Sequence, residues 1–240
     1  MLSATVEDYI KAIYALQRES PTGDAAVTRL AAALGVTNGT VTAMAHKLKG
    51  AGLVRAERYG GMRLTAKGSR LALDVIRRHR LIEVFLVDVL KFDWSLVHDE
   101  AERLEHALSP AIIERLDAFL GRPTIDPHGA PIPDAKGRLS ESPAVPAHAL
   151  AKGARATVAR VAGQEPAFLA LAARHGLRPG AACTVVEQVP EAESVTLVVA
   201  GHPPVALSHR AAKRVLVHPS PVAAVERPVA ARRKGAKPKV

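Results

Sequence analysis

Glu102, Glu105 and His106 lie at i, i+3 and i+4 in the stretch Glu102-Arg103-Leu104-Glu105-His106. On a helix, that spacing sends two carboxylates and an imidazole from one face of a single turn. Upstream, His79-Arg80-Leu81-Ile82-Glu83 sets His79 and Glu83 four residues apart, and His98 adds a third imidazole just before the second stretch. Oxygen and nitrogen donors gathered in this way suit a hard or borderline divalent metal. The alternative is a solvated face laced with i, i+4 ion pairs, with Arg103 and Arg115 as partners. Several such groups on neighbouring helices, with no thiolate among them, favour the metal. Mn(II) or Fe(II) would suit the mixed oxygen and imidazole set, and zinc would accept fewer of the same ligands.

The elements that must position these residues follow from apolar periodicity. Thr5 to Glu19 reads as an amphipathic helix with Val6, Tyr9, Ile10, Ile13, Tyr14 and Leu16 on its stripe. After the break Ser20-Pro21-Thr22-Gly23-Asp24, Val27 to Leu34 makes a short helix and Gly35 a tight turn. Thr37 or Asn38 caps a second helix that runs to about Gly50. Helix, Gly turn, helix is the helix-turn-helix arrangement. Leu53 to Glu57 and Met62 to Thr65 flank Arg58-Tyr59-Gly60-Gly61, which predicts a β-hairpin, the wing. One long helix is expected from Thr65 to about Leu90, then helices Leu96 to Leu108 and Pro110 to Leu120. The far end of the long helix is apolar on more than one face, which suggests burial against a second subunit.

Pro123, Pro127, Pro131 and Pro133 mark an extended segment. Beyond it, short alternating strands are predicted at 154–161, 182–187, 194–199, 204–207 and 215–218, with short helices at 166–175 and 208–214. The fold class is therefore mainly α with small β. A winged helix-turn-helix DNA-binding domain (1–65) precedes a helical metal-binding and dimerisation domain (66–136). A linker (137–150), an SH3-like β-barrel (151–220) and a basic tail (221–240) that reads as disordered follow.

Composition agrees with a chain that meets an anionic partner. Net charge is +10 over 240 residues, and nucleic acid is the commonest such partner. Arg227, Arg232, Arg233, Lys234, Lys237 and Lys239 concentrate part of that charge in the tail, which predicts salt-dependent affinity for any DNA sequence. The single cysteine, Cys183, rules out an internal disulfide and a thiolate metal cluster, and reads as a small core residue in a strand. The first residues lack the basic and apolar regions of a signal peptide, and no apolar run approaches a membrane span, so a cytoplasmic location is expected. No His-Glu-x-x-His, glycine-rich phosphate loop or Gly-x-Ser-x-Gly elbow occurs, which argues against an enzyme. A DNA-binding module beside a metal-ligand face instead suggests a metal-sensing regulator. Its rivals are a winged-helix DNA binder whose Glu/His face is structural, and a metal-dependent hydrolase.

Three groups of residues together resemble the diphtheria-toxin-repressor family of metal-dependent regulators over about residues 4 to 220. Glu7-Asp8-Tyr9-Ile10 with Ile13-Tyr14 is similar to its first helix. Arg78-His79-Arg80-Leu81-Ile82-Glu83 and Glu102-x-x-Glu105-His106 resemble its metal helices, and Pro127-His128-Gly129-x-Pro131-Ile132-Pro133 its linker. The resemblance implies a primary site of Asp8, Glu102, Glu105 and His106. Iron regulators of the family carry Met and Cys where this chain has Asp8 and Glu102, so the all-hard donor set favours Mn(II), with Fe(II) as the alternative. Manganese regulators with a paired-metal site carry Glu where this chain has Lys11, which puts that pairing in doubt. His79, Glu83 and His98 match an ancillary site to which the SH3-like domain adds oxygen ligands, here Gln164 and Glu165. The resemblance further implies a homodimer that represses metal-uptake genes at a double-stranded DNA operator. In the recognition helix, Thr37, Asn38, Gly39, Thr40 and Thr42 would approach bases or phosphates. Lys47 and Lys49, with Arg55, Arg58 and Arg63 of the wing, would meet the DNA backbone.

Overall fold

The computed structural model describes residues 3–56, 61–140 and 143–220. Its N-terminal part opens with α1 (Ala4–Glu19), which buries Val6, Tyr9, Ile10, Ile13 and Leu16. The pattern β1 (Ala25–Ala26), α2 (Val27–Leu34), α3 (Asn38–Gly50), β2 (Val54–Ala56) and β3 (Gly61–Leu64) follows. Gly35 ends α2 in the left-handed region (φ 65°), and its amide closes on Ala31 and Ala32 carbonyls. A side chain at that φ carries a steric cost that glycine avoids. Thr37 caps α3 by accepting from the Thr40 amide at 3.1 Å. Leu30, Val41, Leu48, Leu53 and Met62 join the α1 stripe in one core.

The wing carries an element that periodicity does not announce. β1 pairs antiparallel with β3, giving the order β1-β3-β2. Two alanines directly before a helix have no alternation and little strand propensity, so only the partner strand makes them a strand. The tip of the hairpin, with Arg58, lies outside the described residues.

The expected long helix is α4 (Ala66–Val84), and its continuation widens into a π-helix over Phe85–Val89. α5 spans Val97–Glu105 and α6 Pro110–Phe119, with Pro110 in the first turn and Ser109 accepting from the Ile112 amide. α5 is shorter than its apolar pattern suggested and ends at Glu105. His106 nevertheless keeps right-handed helical dihedrals (φ −86°, ψ −17°), so the Glu102–Glu105–His106 turn survives.

The C-terminal part is a six-stranded antiparallel sheet, β4-β9-β5-β6-β7-β8. Its strands are β4 (Val145–Pro146), β5 (Arg155–Val161), β6 (Ala182–Val189), β7 (Ser194–Val199), β8 (Val205–Ser208) and β9 (Val215–Pro219). Bulges after Val158 and Val185 bend β5 and β6. The 3-10 turn Ala147–Ala149, which follows the β4 edge, packs back on β7, so the sheet curls around Val158, Val185, Leu197 and Val217. Helices α7 (Pro166–Arg174) and α8 (His209–Ala212) cover it. Cys183 is buried in β6. The stretch expected as linker, 137–150, is only partly that: Val145 and Pro146 pair with Val217 and Leu216, and Ala147 belongs to the sheet's core. Proline content reads as a linker because an edge strand tolerates Pro and a central one does not.

The C-terminal part docks on the segment that links it to α6. Trp94 sits in the β-domain core, its indole N–H donates to the Pro127 carbonyl at 2.8 Å, and Arg178 stacks 5.0 Å over its ring. The Val161 amide donates to the His128 carbonyl at 2.9 Å. Gly129 makes this approach possible: its φ is +87°, and a Cβ there would fall 2.1 Å from the Ala159 carbonyl oxygen. Gly129→Ala is therefore expected to destabilise the protein by about 1–3 kcal/mol through the strained φ alone. Limited proteolysis should then cut first between α6 and β5; an unchanged melt and cleavage pattern would contradict this.

Candidate metal centre

α1, α4 and α5 bring their polar residues to one place. Asp8 leaves α1 opposite the end of α5, and its Oδ1 lies 2.8 Å from His106 Nε2. Asp8, Glu102, Glu105 and His106 each offer a donor atom, and these atoms all lie within 4.8 Å of one another. The four residues named from the sequence as a primary site are thus gathered. Three carboxylates and one imidazole form a hard donor set that fits a divalent cation better than a monovalent one. Partial burial raises the Asp8 carboxyl above its usual range, opposed by His106 and by Lys11.

Lys11 faces the same cluster. Its Nζ lies 2.5 Å from Glu102 Oε1 and 2.7 Å from Glu105 Oε1. An ammonium cannot ligate a metal while protonated, and here it occupies the side of the cluster that a paired-metal site would need, in keeping with the expectation that Lys11 disfavours such a pair. Glu105 is fully buried between Lys11 and His79, whose Nδ1 lies 2.6 Å from Glu105 Oε2. Burial pushes the Glu105 carboxyl up, but His79 and Lys11 outweigh it and hold the group below the usual carboxylate range.

His79, Glu83 and His98 form a second group with donor atoms within the same limit. His79 Nε2 is 3.1 Å from Glu83 Oε1 and 3.0 Å from His98 Nδ1. His79 therefore touches both groups, through Nδ1 and Nε2. Burial lowers its basicity, but Glu83 and Glu105 win and raise its pKa to about 9. Glu83 moves the other way: desolvation raises it, while His79 and a hydrogen bond from His98 hold it far below the usual range.

Gln164 and Glu165 are not brought to this group. Both are exposed at the start of α7, the Glu165 carboxylate pairs with Arg214, and its Oε2 accepts from the Gln164 amide at 3.2 Å. A residue at a helix start with a nearby arginine has a local use for its charge, and Arg214 comes near only through the fold. The side of Glu83 expected to receive them is met instead by Asp126 and His128, all three buried and within donor distance of one another. His128 Nε2 donates to the Trp94 carbonyl at 3.0 Å, and Asp126 Oδ1 accepts from the His128 and Ala130 amides. The sequence marked this segment by its prolines and by its resemblance to the family's linker, without assigning Asp126 or His128 a ligand role. Its Asp-x-His spacing was the missed signal.

The recognition helix presents an exposed face. Thr37, Asn38, Gly39, Thr40, Thr42, Lys47 and Lys49 are all exposed. Some of their hydrogen-bonding capacity is used locally: Thr37 caps the helix, and the Thr42 hydroxyl donates to the Asn38 carbonyl at 2.9 Å. His46 is exposed four residues beyond Thr42 and shares its face, a candidate that the helical period could have supplied. In the wing, Arg55 is exposed, while Arg63 donates to the Thr22 carbonyl at 2.5 Å and braces the turn after α1.

Three family models match the chain in succession: an iron-dependent repressor N-terminal DNA-binding domain (residues 1–62), an iron-dependent repressor metal-binding and dimerisation domain (65–134) and a FeoA domain (145–219). The iron-dependent repressor IdeR of Mycobacterium tuberculosis is 36% identical over 228 residues, covering 89% of this chain and 96% of that repressor. The chain belongs to the iron-dependent repressor family. The diphtheria toxin repressor of Corynebacterium diphtheriae is 36% identical over 144 residues, 59% of this chain and 63% of that one. Among solved structures, a manganese-dependent transcriptional repressor in complex with manganese aligns with a TM-score of 0.82 at 36% identity, covering 90% of this chain and all of that one. The manganese regulator SloR aligns at 0.73 and 30%, covering 90% and 98%. As a member of this family, the chain is a metal-dependent DNA-binding repressor and not an enzyme. The family's repressors bind DNA and dimerise, and the match to the dimerisation domain supports a homodimer. No helix among the described residues is long and apolar enough to cross a membrane.

Proposed function

We propose that this repressor responds to Mn(II), bound by Asp8, Glu102, Glu105 and His106, and that it represses metal-uptake genes as a homodimer on an operator. The carrying observation is that Asp8 belongs to α1 of the DNA-binding half while its contact, His106, ends α5 of the dimerisation half. An ion held there would tie the two halves together. Leu90, Leu96, Ile112 and Phe119 give the helical domain an exposed apolar surface on which a second copy would sit. In a two-fold dimer, the tilt of each DNA-binding half sets the separation of the recognition helices. That separation must match half-sites about one DNA turn, ~34 Å, apart. Fixing the tilt selects the DNA-competent members of a looser ensemble.

Donor chemistry supports manganese over iron. The four donors are carboxylates and imidazole, and the one cysteine is buried in β6, away from the cluster. Thr37, Asn38, Gly39, Thr40, Thr42 and Lys47, with Arg58 of the wing, would meet the DNA. His79, Glu83 and His98 would hold a second ion, with Asp126 and His128 beside it. Fluorescence anisotropy with labelled upstream DNA tests the reading, first with chelator and then with Mn(II), Fe(II) or Zn(II). Saturating Mn(II) should give tighter DNA binding than saturating Fe(II), because affinity for the ion alone rises from Mn(II) to Fe(II) and selectivity must come from geometry. Equal binding in chelator would end the sensor reading, and a preference for Fe(II) would end the manganese assignment.

A further inference from the structure

Glu7 contacts the primary cluster without belonging to it. It is a buried acid on α1, and its two carboxylate oxygens are engaged separately. Oε1 accepts from Arg78 Nη2 at 2.9 Å, and Oε2 lies 2.7 Å from His106 Nδ1. Arg78, itself buried on α4, donates through Nη1 to the Glu105 carbonyl at 2.8 Å. That carbonyl is one of the last of α5 and has no amide ahead of it in the helix. Arg78 thus holds both the residue that faces His106 and the backbone that carries Glu105 and His106.

This arrangement has a consequence for the imidazole. A carboxylate that faces Nδ1 and is already bound to a guanidinium can only accept from the ring, so Nδ1 keeps the proton. In the neutral ring, Nε2 is then left with its lone pair, and Nε2 is the atom 2.8 Å from Asp8 Oδ1 and 3.5 Å from Glu105 Oε1. A ligating histidine whose other nitrogen donates to a carboxylate is fixed in tautomer and ring orientation. We infer that Glu7, held by Arg78, is the positioning residue that presents Nε2 of His106 to the metal cluster. Because Glu7 is on α1 and His106 ends α5, the same hydrogen bond also joins the two halves of the repressor directly. The inference rests on the metal reading of the cluster.

Two substitutions separate this role from a structural one. In Glu7→Gln, the amide oxygen can still accept from Arg78, but the amide nitrogen then faces Nδ1 as a donor. That favours the opposite tautomer, with a proton on Nε2 where the metal must bind. Glu7→Ala leaves Nδ1 free to donate to water but removes the buried carboxylate partner of Arg78, leaving its guanidinium the exposed Asp74 at 3.4 Å and the Glu105 carbonyl. The isosteric Gln variant should therefore bind metal more weakly than the Ala variant, while the Ala variant melts lower. Zn(II) serves as a diamagnetic probe, with binding measured by chelator competition and Asp8→Ala marking the primary cluster. Glu7→Gln is expected to weaken binding about 10–100-fold. Nitrogen NMR of labelled histidine in the Zn(II)-loaded wild type should show His106 ligated through Nε2 and protonated at Nδ1. Ligation through Nδ1, or Zn(II) affinity of Glu7→Gln equal to wild type, overturns the inference alone. If Zn(II) leaves the His106 ring signals of the wild type unmoved, the metal reading of the cluster falls, and the inference with it.

Discussion

Asp8→Ala is expected to remove the metal response of DNA binding, lowering affinity in saturating Mn(II) by about 100-fold, the range of coupling free energies between linked sites. Affinity in chelator should be unchanged. Asp8 is the one donor of the primary cluster that α1 contributes. Without it, Glu102, Glu105 and His106 can still gather an ion, but the ion no longer reaches the DNA-binding half. Metal binding measured directly should fall less than metal-dependent DNA binding does. Asp8→Met replaces a hard oxygen by a thioether and should move the preferred ion from Mn(II) toward Fe(II). If Asp8→Ala keeps a wild-type response to Mn(II), α1 is not tied through this residue and the proposed switch is wrong.

The second large effect is a pH dependence that reverses with metal. In the metal-free protein, His79 has a pKa of about 9, above its ordinary 6.5, because Glu83 and Glu105 outweigh its burial. Protonation therefore stabilises the fold. The contribution is complete below pH 6.5 and is lost as pH rises through about 9, and it amounts to at most about 3 kcal/mol. Glu83 and Glu105 are shifted down, so their contribution is present above the ordinary carboxylate range and lost only in acid. The melting temperature of chelated protein should thus fall between pH 6.5 and 9, by roughly 6–12 °C for a chain of this size. A ligating His79 must give up its proton, so affinity at His79, Glu83 and His98 should instead rise across the same window, with proton release on binding. His79→Gln should flatten both trends. A metal-free melt that is level from pH 6.5 to 9 would show that His79 is not held as an imidazolium.

Most of the architecture is legible in the sequence because it depends on local rules. The apolar stripe Val6, Tyr9, Ile10, Ile13, Leu16 specifies α1, Gly35 and Thr37 punctuate the helix-turn-helix, and alternation specifies β5 to β9. The elements that escaped depend on a distant partner. β1 is a strand only because β3 lies beside it, and β4 is one only because β9 does. Spacing on a single helix likewise placed Glu102, Glu105 and His106 on one face, and His79 with Glu83.

Spacing could not say what stands opposite those faces. Packing brings Asp8, which only the resemblance had grouped with them, to His106 across 98 residues and sets Lys11 between Glu102 and Glu105. It turns Glu165 away to Arg214 and brings Asp126 and His128 to Glu83 in its place. Charged groups act over a few ångströms with whichever element packs against them, whereas periodicity records only which face of an element is apolar. The sequence by itself therefore determined most of the elements, their order and the chemical type of the donors. The packing of α1 and the proline segment against α4 and α5 decided which donors meet, and which of them already have another partner.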